Sequence, residues 1–466
     1  MKKTISLLCV VLLILAMAVG CSKETPGSQE PNKPDTTTEK PSDSDDSQSD
    51  EPYKVYFYAW THEDNMIPIT EAFNKEYEGK YELVYQKLAN ADTSTINTAL
   101  ASGEQIDVMT QASTFDLRVR ADSGVYLPLN EFFEQWGTTY EEKLGKATEV
   151  TNNFDGKYYG VPYCKNIQMV YYNKNLFDEA GVEYPKPDWT WEDFREAAKK
   201  LTKGSGANKV YGAMADLQEY WPSIARQKLG EFYFYNDDFT ATVFDDPAMK
   251  ESLQFWYDLV MVDKTAVPME EYTSLQYNND VNGMIGLYQG KYAMFFVPVY
   301  GCLYTNESYG QIPEGTDIGV TYLPSPAGSS KPITTFYTST CSIPANVKNK
   351  EAAWTLLKYI CFDRADLYAG PKAMHPGYEF ATEEEEREFL DLIFEHPGID
   401  KEQCIDTMMM DFDVVSQDLS VVQGQMKIND LIKANISKVF NNEMSVDECL
   451  EDLKAKGDAY IAEDLK

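Results

Sequence analysis

Residues 54–60 read "KVYFYAW", residues 81–88 "YELVYQKL" and residues 106–111 "IDVMTQ", three short runs rich in β-branched and aromatic side chains. Each reads as a strand, the first as one buried on both faces in the way of central parallel strands. Between the first two, Met66, Ile69, Phe73 and Tyr77 recur at spacings of three and four, which predicts an amphipathic helix stopped by Gly79. Ile96, Ala99 and Leu100 mark another helix before the third run. Strand, helix, strand, helix, strand is the alternation of a doubly wound α/β domain. In such sheets ligands bind beyond the carboxyl ends of the strands, here the loops after Trp60 and after Met109.

The same style continues downstream. Trp191, Phe194, Ala198 and Leu201 share one helical face, opened by Thr190 with Asp193 at capping-box spacing. Near the C-terminus Ile432, Ile436, Val439 and Phe440 form a helical stripe, and Ser445 with Glu448 in "SVDE" opens a last helix. The long segment beyond Pro52, rich in Tyr, Phe and Trp, is enough for a large core and for two lobes.

Upstream the chain has a different character. Lys2 and Lys3 precede a low-polarity run from Ile5 to Val19, long enough for a signal-peptide core and too short for a comfortable membrane span. Residues 1–20 therefore read as an export signal. Ala18, Val19 and Gly20 put small side chains before Cys21, which resembles the lipobox of bacterial lipoproteins with Ala18 where Leu is usual. Cys21 is expected to carry lipid; the alternative is an ordinary secretory signal with an incidental Cys. From Ser22 to Pro52 there is no aliphatic or aromatic side chain larger than proline, so no apolar surface offsets ordering entropy. Residues 21–52 read as the lipidated Cys and a disordered acidic tether with a mean span on the order of 30 Å.

Charge narrows the partners. The chain holds 41 Lys and Arg against 75 Asp and Glu, and removing the two leader lysines leaves a net charge of −36. Phosphate backbones and anionic lipid need clustered Lys and Arg, so nucleic acid and direct membrane adhesion are excluded as partners. Cys164, Cys302, Cys341, Cys361, Cys404 and Cys449 lie far apart without C-x-x-C, and no His stands at ligand spacing, so neither a metal nor a cofactor is expected. Outside the membrane these thiols could pair or stay buried and free.

Six motifs fall in a recognisable order: "ALASGEQIDVM" (99–109), "DGKYYGVPY" (155–163), "VYYNKNLFDEAGV" (170–182), "WTWEDFREAAKKLT" (189–202), "YQGKYAMFF" (288–296) and "NKEAAWTLLKYI" (349–360). Together they resemble the extracellular solute-binding proteins of the family that includes maltose-binding protein, the capture subunits of carbohydrate ABC importers. The resemblance implies a two-lobed periplasmic-binding-protein-like α/β fold with interlobe crossovers, each lobe a doubly wound sheet flanked by helices. Lobe I would comprise residues 53–163 plus about 323–375, and lobe II residues 164–322 plus about 376–466. It implies a monomer, held by its lipid at the outer face of the cytoplasmic membrane as in Gram-positive cells, that hands a carbohydrate, an oligosaccharide, to ABC permease subunits. In the central motif Gly156 permits a tight turn, Tyr158 and Val161 read as a short strand, and Pro162 fixes φ where the chain would leave it, a plausible crossing between lobes. The resemblance places further crossings near Tyr322 to Pro326 and His375 to Gly377.

A sugar site needs aromatic faces for the C–H side of a pyranose and polar side chains for its hydroxyl rim. Trp60 ends the first strand, as a cleft residue or as core, and His62, Glu63 and Asp64 follow it. Gln111, Ser113 and Thr114 follow the third strand. Asn166 stands where the resemblance puts a polar contact, and Tyr163 beside it is a cleft wall or hinge packing. Trp221, next to Pro222 in "ADLQEYWPSIA", is expected as a stacking platform; Tyr300, after the apolar run "YAMFFVPV", sits where the family carries a stacking ring. Phe336 and Tyr337 fall where a further site loop is implied, without the family's usual glycines. Trp256 and Trp354 sit on helical stripes and read as core.

Two other classes remain. A surface-anchored carbohydrate-active enzyme would need a carboxylate pair, which so acidic a chain always offers, but there is no G-x-S-x-G, P-loop or H-E-x-x-H, and only His62, His375 and His396 as imidazole bases. A non-transport adhesin would share the binding chemistry and differ in whether uptake depends on it.

Overall fold

The computed structural model describes residues 51–111, 114–277, 279–305, 312–417 and 424–464. The expected export leader, Cys21 and tether through Asp50, and Ser113, lie outside the described residues. β1 (Tyr53–Ala59), β2 (Tyr81–Lys87) and β3 (Val108–Gln111) form where the aromatic and β-branched runs predict, with β1 between the other two and parallel to both. The helix Glu63–Glu76 buries Met66, Ile69 and Phe73 against them. Tyr77 caps it, and Gly79, at φ +75°, takes a left-handed turn that a side chain would resist. The next helix, Thr93–Ala101, starts because the Asp92 carboxylate accepts the Thr95 N–H at 2.7 Å.

β4 (Val161–Asn173), β5 (Tyr211–Met214), β6 (Tyr292–Pro298), β7 (Ile318–Tyr322), β8 (Ile333–Ser342), β9 (His375–Pro376) and β10 (Asp413–Ser416) complete the sheet. Its order is β2-β1-β3-β8-β4-β6-β5, with β10 on β8 and both β7 and β9 on β4. Pairing is parallel for β1–β2, β1–β3, β5–β6 and β8–β10, and antiparallel at β3–β8 and along β4. Its strands β3, β4, β5, β6 and β7 are buried along their whole length.

β4 organises the molecule. Its thirteen residues are all buried. The half from Val161 to Ile167 pairs with β8, and the half from Gln168 onwards pairs with β6 and β7. Two large cores lie along it. One gathers Val55, Phe57, Phe73, Phe133, Tyr163, Leu356 and Tyr368; the other gathers Tyr171, Phe194, Trp256, Phe296, Leu390 and Ile436.

One local expectation fails at this strand. Pro162 does not mark an exit: it is the second residue of β4, Tyr158 lies ahead of the strand, and the register shifts between Pro162 and Cys164. A proline lacks the ladder N–H and is tolerated at a strand start or bulge, which is where this one sits. Gly377 packs against it so closely that a Cβ would stand 2.0 Å from the Pro162 carbonyl oxygen.

The later helices follow their signals. Trp191–Leu201 buries Trp191, Phe194, Ala198 and Leu201 and carries the Thr190/Asp193 capping box. The Ser445 hydroxyl and the Glu448 carboxylate exchange hydrogen bonds with each other's backbone N–H at the start of Val446–Asp464. The six cysteines of the body are buried and free. Among the described residues no helix is long and apolar enough to cross a membrane.

Candidate functional site

Alternate residues of a strand face opposite sides of a sheet, and β4 and β8 use this at their shared register. Asn166 stands opposite Tyr337, Ile167 opposite Phe336 and Lys165 opposite Thr338. On the Asn166 side the next residue of the same parity is Gln168. Its Nε2 donates to Glu219 Oε1 at 3.0 Å, and its Oε1 accepts from the Tyr220 hydroxyl. The Tyr300 hydroxyl donates to Asp280 Oδ2 at 3.0 Å and lies 3.2 Å from the Tyr337 hydroxyl. One face thus collects two amides, two carboxylates and three phenols from five separate segments.

Local structure fixes each of them. Asp216 caps the single-turn helix Leu217–Tyr220 by accepting the Gln218 N–H at 2.9 Å, which holds Glu219 and Tyr220 over β4. Asn279 caps the helix Asp280–Tyr288 and so places Asp280 in its first turn. β6 ends at Pro298, and the 3-10 turn Val299–Thr305 that follows presents Tyr300.

The electrostatics of this face are unusual for carboxylates. Burial pushes Glu219 up to about 7, Asp216 and Asp280 push the same way, and Arg226 and the Gln168 hydrogen bond oppose them. Burial also raises Asp280, with the Tyr300 hydrogen bond acting against it. Burial holds the Tyr220, Tyr300 and Tyr337 phenols far above their ordinary range, so all three stay protonated donors.

The opposite face is a different place. Lys165, Ile167 and Phe336 line a cavity of about 520 Å³ together with His375, Phe380, Met408 and Phe412. Lys165 is ion-paired with Glu379 there, and burial followed by the Lys165 charge holds the His375 imidazole down to about 4.

The structure sorts the residues selected from sequence. Tyr300 and Tyr337 meet, and Asn166, though buried, shares their face. Trp221 is a correction: it is fully buried and stacked on Phe234 at 5.8 Å, because the chain turns at Pro222 and carries the ring inward while its neighbours Glu219 and Tyr220 face β4. Phe336 is likewise corrected, since its place opposite Ile167 puts it on the rear face and in the core. Tyr163 is buried in the first core, edge-on to Tyr368 at 5.1 Å with the Lys372 ammonium 4.8 Å from its ring.

Gln111 is buried, donating to Tyr126 and accepting from Arg120, and Thr114 is buried at the start of Thr114–Asp122. Trp60 is half-buried against the small core of Tyr58, Ile96 and Met109. Glu63 and Asp64 are exposed in the first turn of their helix, whose cap is His62. Gln168, Glu219 and Asp280 escape the sequence reading. Gln168 is one alternation beyond Asn166, a signal that was available; Glu219 lies two residues before Trp221 and Asp280 opens a helix, which alone would not select them.

A family model described as bacterial extracellular solute-binding protein matches residues 59–364. Among curated proteins, this chain is 33% identical to an arabinooligosaccharide-binding protein of Halalkalibacterium halodurans over 168 residues, 34% of either chain. It is 26% identical to a lipoprotein of Streptomyces antibioticus over 288 residues, 61% of this chain and 58% of that one. The chain thus spans about a third and under two thirds of those relatives' own lengths. Among solved structures, an ABC substrate-binding protein from Listeria monocytogenes in complex with cycloalternan shares the two-lobed fold at TM-score 0.68 and 22% identity, covering 88% of this chain and 100% of that one.

Proposed function

We propose, from the premise that the chain belongs to the family of bacterial extracellular solute-binding proteins, that it captures a carbohydrate for an ABC importer and is not an enzyme. The observation that carries the reading is the convergence of Gln168, Glu219, Tyr300, Asp280 and Tyr337 on one face of the strand that joins both parts of the sheet. Their donors and acceptors suit a hydroxyl rim, and the Tyr300 and Tyr337 rings suit a pyranose face. The name of the Halalkalibacterium relative favours an oligosaccharide over a monosaccharide.

In this reading β4 carries the chain between lobe I, residues 53–163 plus about 323–375, and lobe II, residues 164–322 plus about 376–466. Closure of the lobes on the ligand prepares a monomeric complex for the permease. Asn166, Trp60, Glu63 and Asp64 complete the ligand contacts. Cys21 becomes the lipidated N-terminus, the acidic tether spaces the body from the membrane, and Cys21→Ala should release the protein from cells or leave the leader uncut.

A thermal-shift screen of the body from residue 53 against mono- and oligosaccharides tests the capture reading, because a ligand of the folded state raises the melting temperature by mass action. Tyr300→Ala should then weaken the hit about ten- to a hundredfold, roughly 1–3 kcal/mol. A complete panel of sugars without a shift, or a hit that Tyr300→Ala leaves intact, refutes the reading or the site respectively.

A further inference from the structure

Carboxylates outnumber cations on the proposed ligand face. Asp216 caps one helix, Glu219 belongs to it, and Asp280 opens another. Glu219 feels the negative charge of Asp216 and Asp280, and Asp280 feels that of Asp216. Among the described residues Arg226, on the helix Ser223–Leu229, is the cation whose charge acts on Glu219. Its Nη2 donates to the Tyr233 hydroxyl at 2.8 Å and its guanidinium lies 4.8 Å from the Tyr233 ring centroid, so it is held to one side. With one guanidinium against three carboxyl groups in a largely dehydrated space, ionising all of them is costly: burial raises Glu219 and Asp280 towards their neutral forms in the empty site, and an arriving cation would let them ionise.

A second observation points the same way. Tyr272, from the helix Met269–Ser274, is 7% exposed, and its hydroxyl is turned towards Asp216 and the other two carboxylates without a well-formed hydrogen bond. Its oxygen is an idle acceptor inside the cluster. Yet the carboxylates are not gathered as a metal site: among the described residues no group of three or more His, Cys, Asp or Glu could hold a metal ion. A cation that donates hydrogen bonds in several directions over a wider spacing fits instead. An alkylammonium does this with three N–H groups.

We infer that the ligand is a carbohydrate bearing a protonated amine, an amino sugar, whose ammonium sits among Asp216, Glu219 and Asp280. The inference rests on the carbohydrate-capture reading. The ring hydroxyls meet Gln168, Tyr220, Tyr300 and Tyr337, and the ammonium supplies the charge that the protein withholds. Burial raises Glu219 to about 7, so part of its population holds a proton in the empty site near neutral pH, and burial moves Asp280 in the same direction. An ammonium favours the ionised forms, so binding releases protons and weakens as pH falls below about 7.

Three β-1,4-linked oligomers that differ only at C2, of glucosamine, N-acetylglucosamine and glucose, test this by calorimetry on the full body, with spermidine as an amine without a sugar. The glucosamine oligomer should bind at least about tenfold tighter than the other two. Its affinity should pass through an optimum near neutral pH, falling on the acid side as Glu219 takes its proton and on the alkaline side as the sugar amine loses its own. Glu219→Gln and Asp280→Asn should each weaken it by about tenfold as well, while the unliganded variants still melt cooperatively. A glucose or N-acetylglucosamine oligomer that binds as tightly overturns the amine and leaves sugar capture standing. Spermidine alone overturns both. Silence of all four overturns the amine, and the wider sugar screen then decides the capture reading.

Discussion

The two faces of β4 and β8 are built from neighbouring residues and treat charge in opposite ways. On the front, Glu219 and Asp280 hydrogen-bond to the neutral Gln168 and Tyr300, and burial raises both. Neither has an ion-pair partner in contact among the described residues, Arg226 acting on Glu219 from beside Tyr233. On the rear, Lys165 is paired with Glu379 beside Ile167, Phe336 and Met408. A buried charge is tolerated when it is paired or neutralised. The rear carries its partner within the chain, whereas the front lacks one, as a surface prepared for something from outside would. Period-two alternation is the device that lets one pair of strands serve both.

That contrast is broken most directly through the large rings. Trp221→Ala and Phe336→Ala each remove a buried aromatic and should cost about 3–5 kcal/mol of stability, read from denaturant melts. Ligand affinity, corrected for the folded fraction, should change by less than about twofold. Tyr337→Phe should do the reverse, keeping stability and losing affinity. A Trp221→Ala protein that melts normally but no longer binds would restore that ring to the site.

The next effects are in pH and have opposite signs in two regions. Glu219 rises from 4.5 to about 7 on folding, so its stabilising contribution is full below pH 4.5 and is lost as pH rises through about 7. Glu219→Gln keeps an acceptor for Gln168 and should remove this slope, with a gain of up to about 3 kcal/mol above pH 7. Lys372 lies at the other core, 3.2 Å from the Tyr368 ring centroid with no hydrogen-bond partner for its ammonium, and burial drops it from 10.5 to about 7. A base lowered on folding contributes stability above its unfolded pKa and loses it as pH falls through about 7. Lys372→Met should therefore stabilise by about 1–4 kcal/mol near pH 6 and by less near pH 9. Thermal melts of both variants across pH 5–9 check the two signs, and equal gains at all pH values would show that neither group titrates in the folded state.

The elements were legible because they are local. Met66, Ile69 and Phe73 carry a helical period, "KVYFYAW" a strand composition, and Ser445 with Glu448 a cap, and each signal lies within a few residues. The site was only partly legible because its faces depend on register with distant strands. Phe336 and Tyr337 are adjacent and alike in sequence, and only their partners Ile167 and Asn166 show that they face apart. Trp221 beside Pro222 looks like a loop residue, and its stacking on Phe234 depends on a turn that no periodicity announces. Glu219 and Asp280 are two acids among 75, selected only by burial and by what they touch.

The smallest expected effect is at the rear ion pair. Lys165 is 11% exposed and Glu379 54% exposed, so the carboxylate is half in water and its attraction is screened. Removing it with Glu379→Gln leaves the ammonium facing a cavity of about 520 Å³, roomy enough for water to solvate it. The loss should be about 0.5–1 kcal/mol, smaller still at high salt, with ligand affinity unchanged. The carboxylate also packs under Gly145, where a Cβ would stand 2.4 Å from Glu379 Oε1, so the amide must fit the same space and does so at nearly equal volume. If Glu379→Gln instead shifts ligand affinity by more than about fivefold, charge on the rear face is felt on the front through β4. The two faces would then be one coupled device, with the Lys165–Glu379 pair setting how readily the strand lets the lobes close.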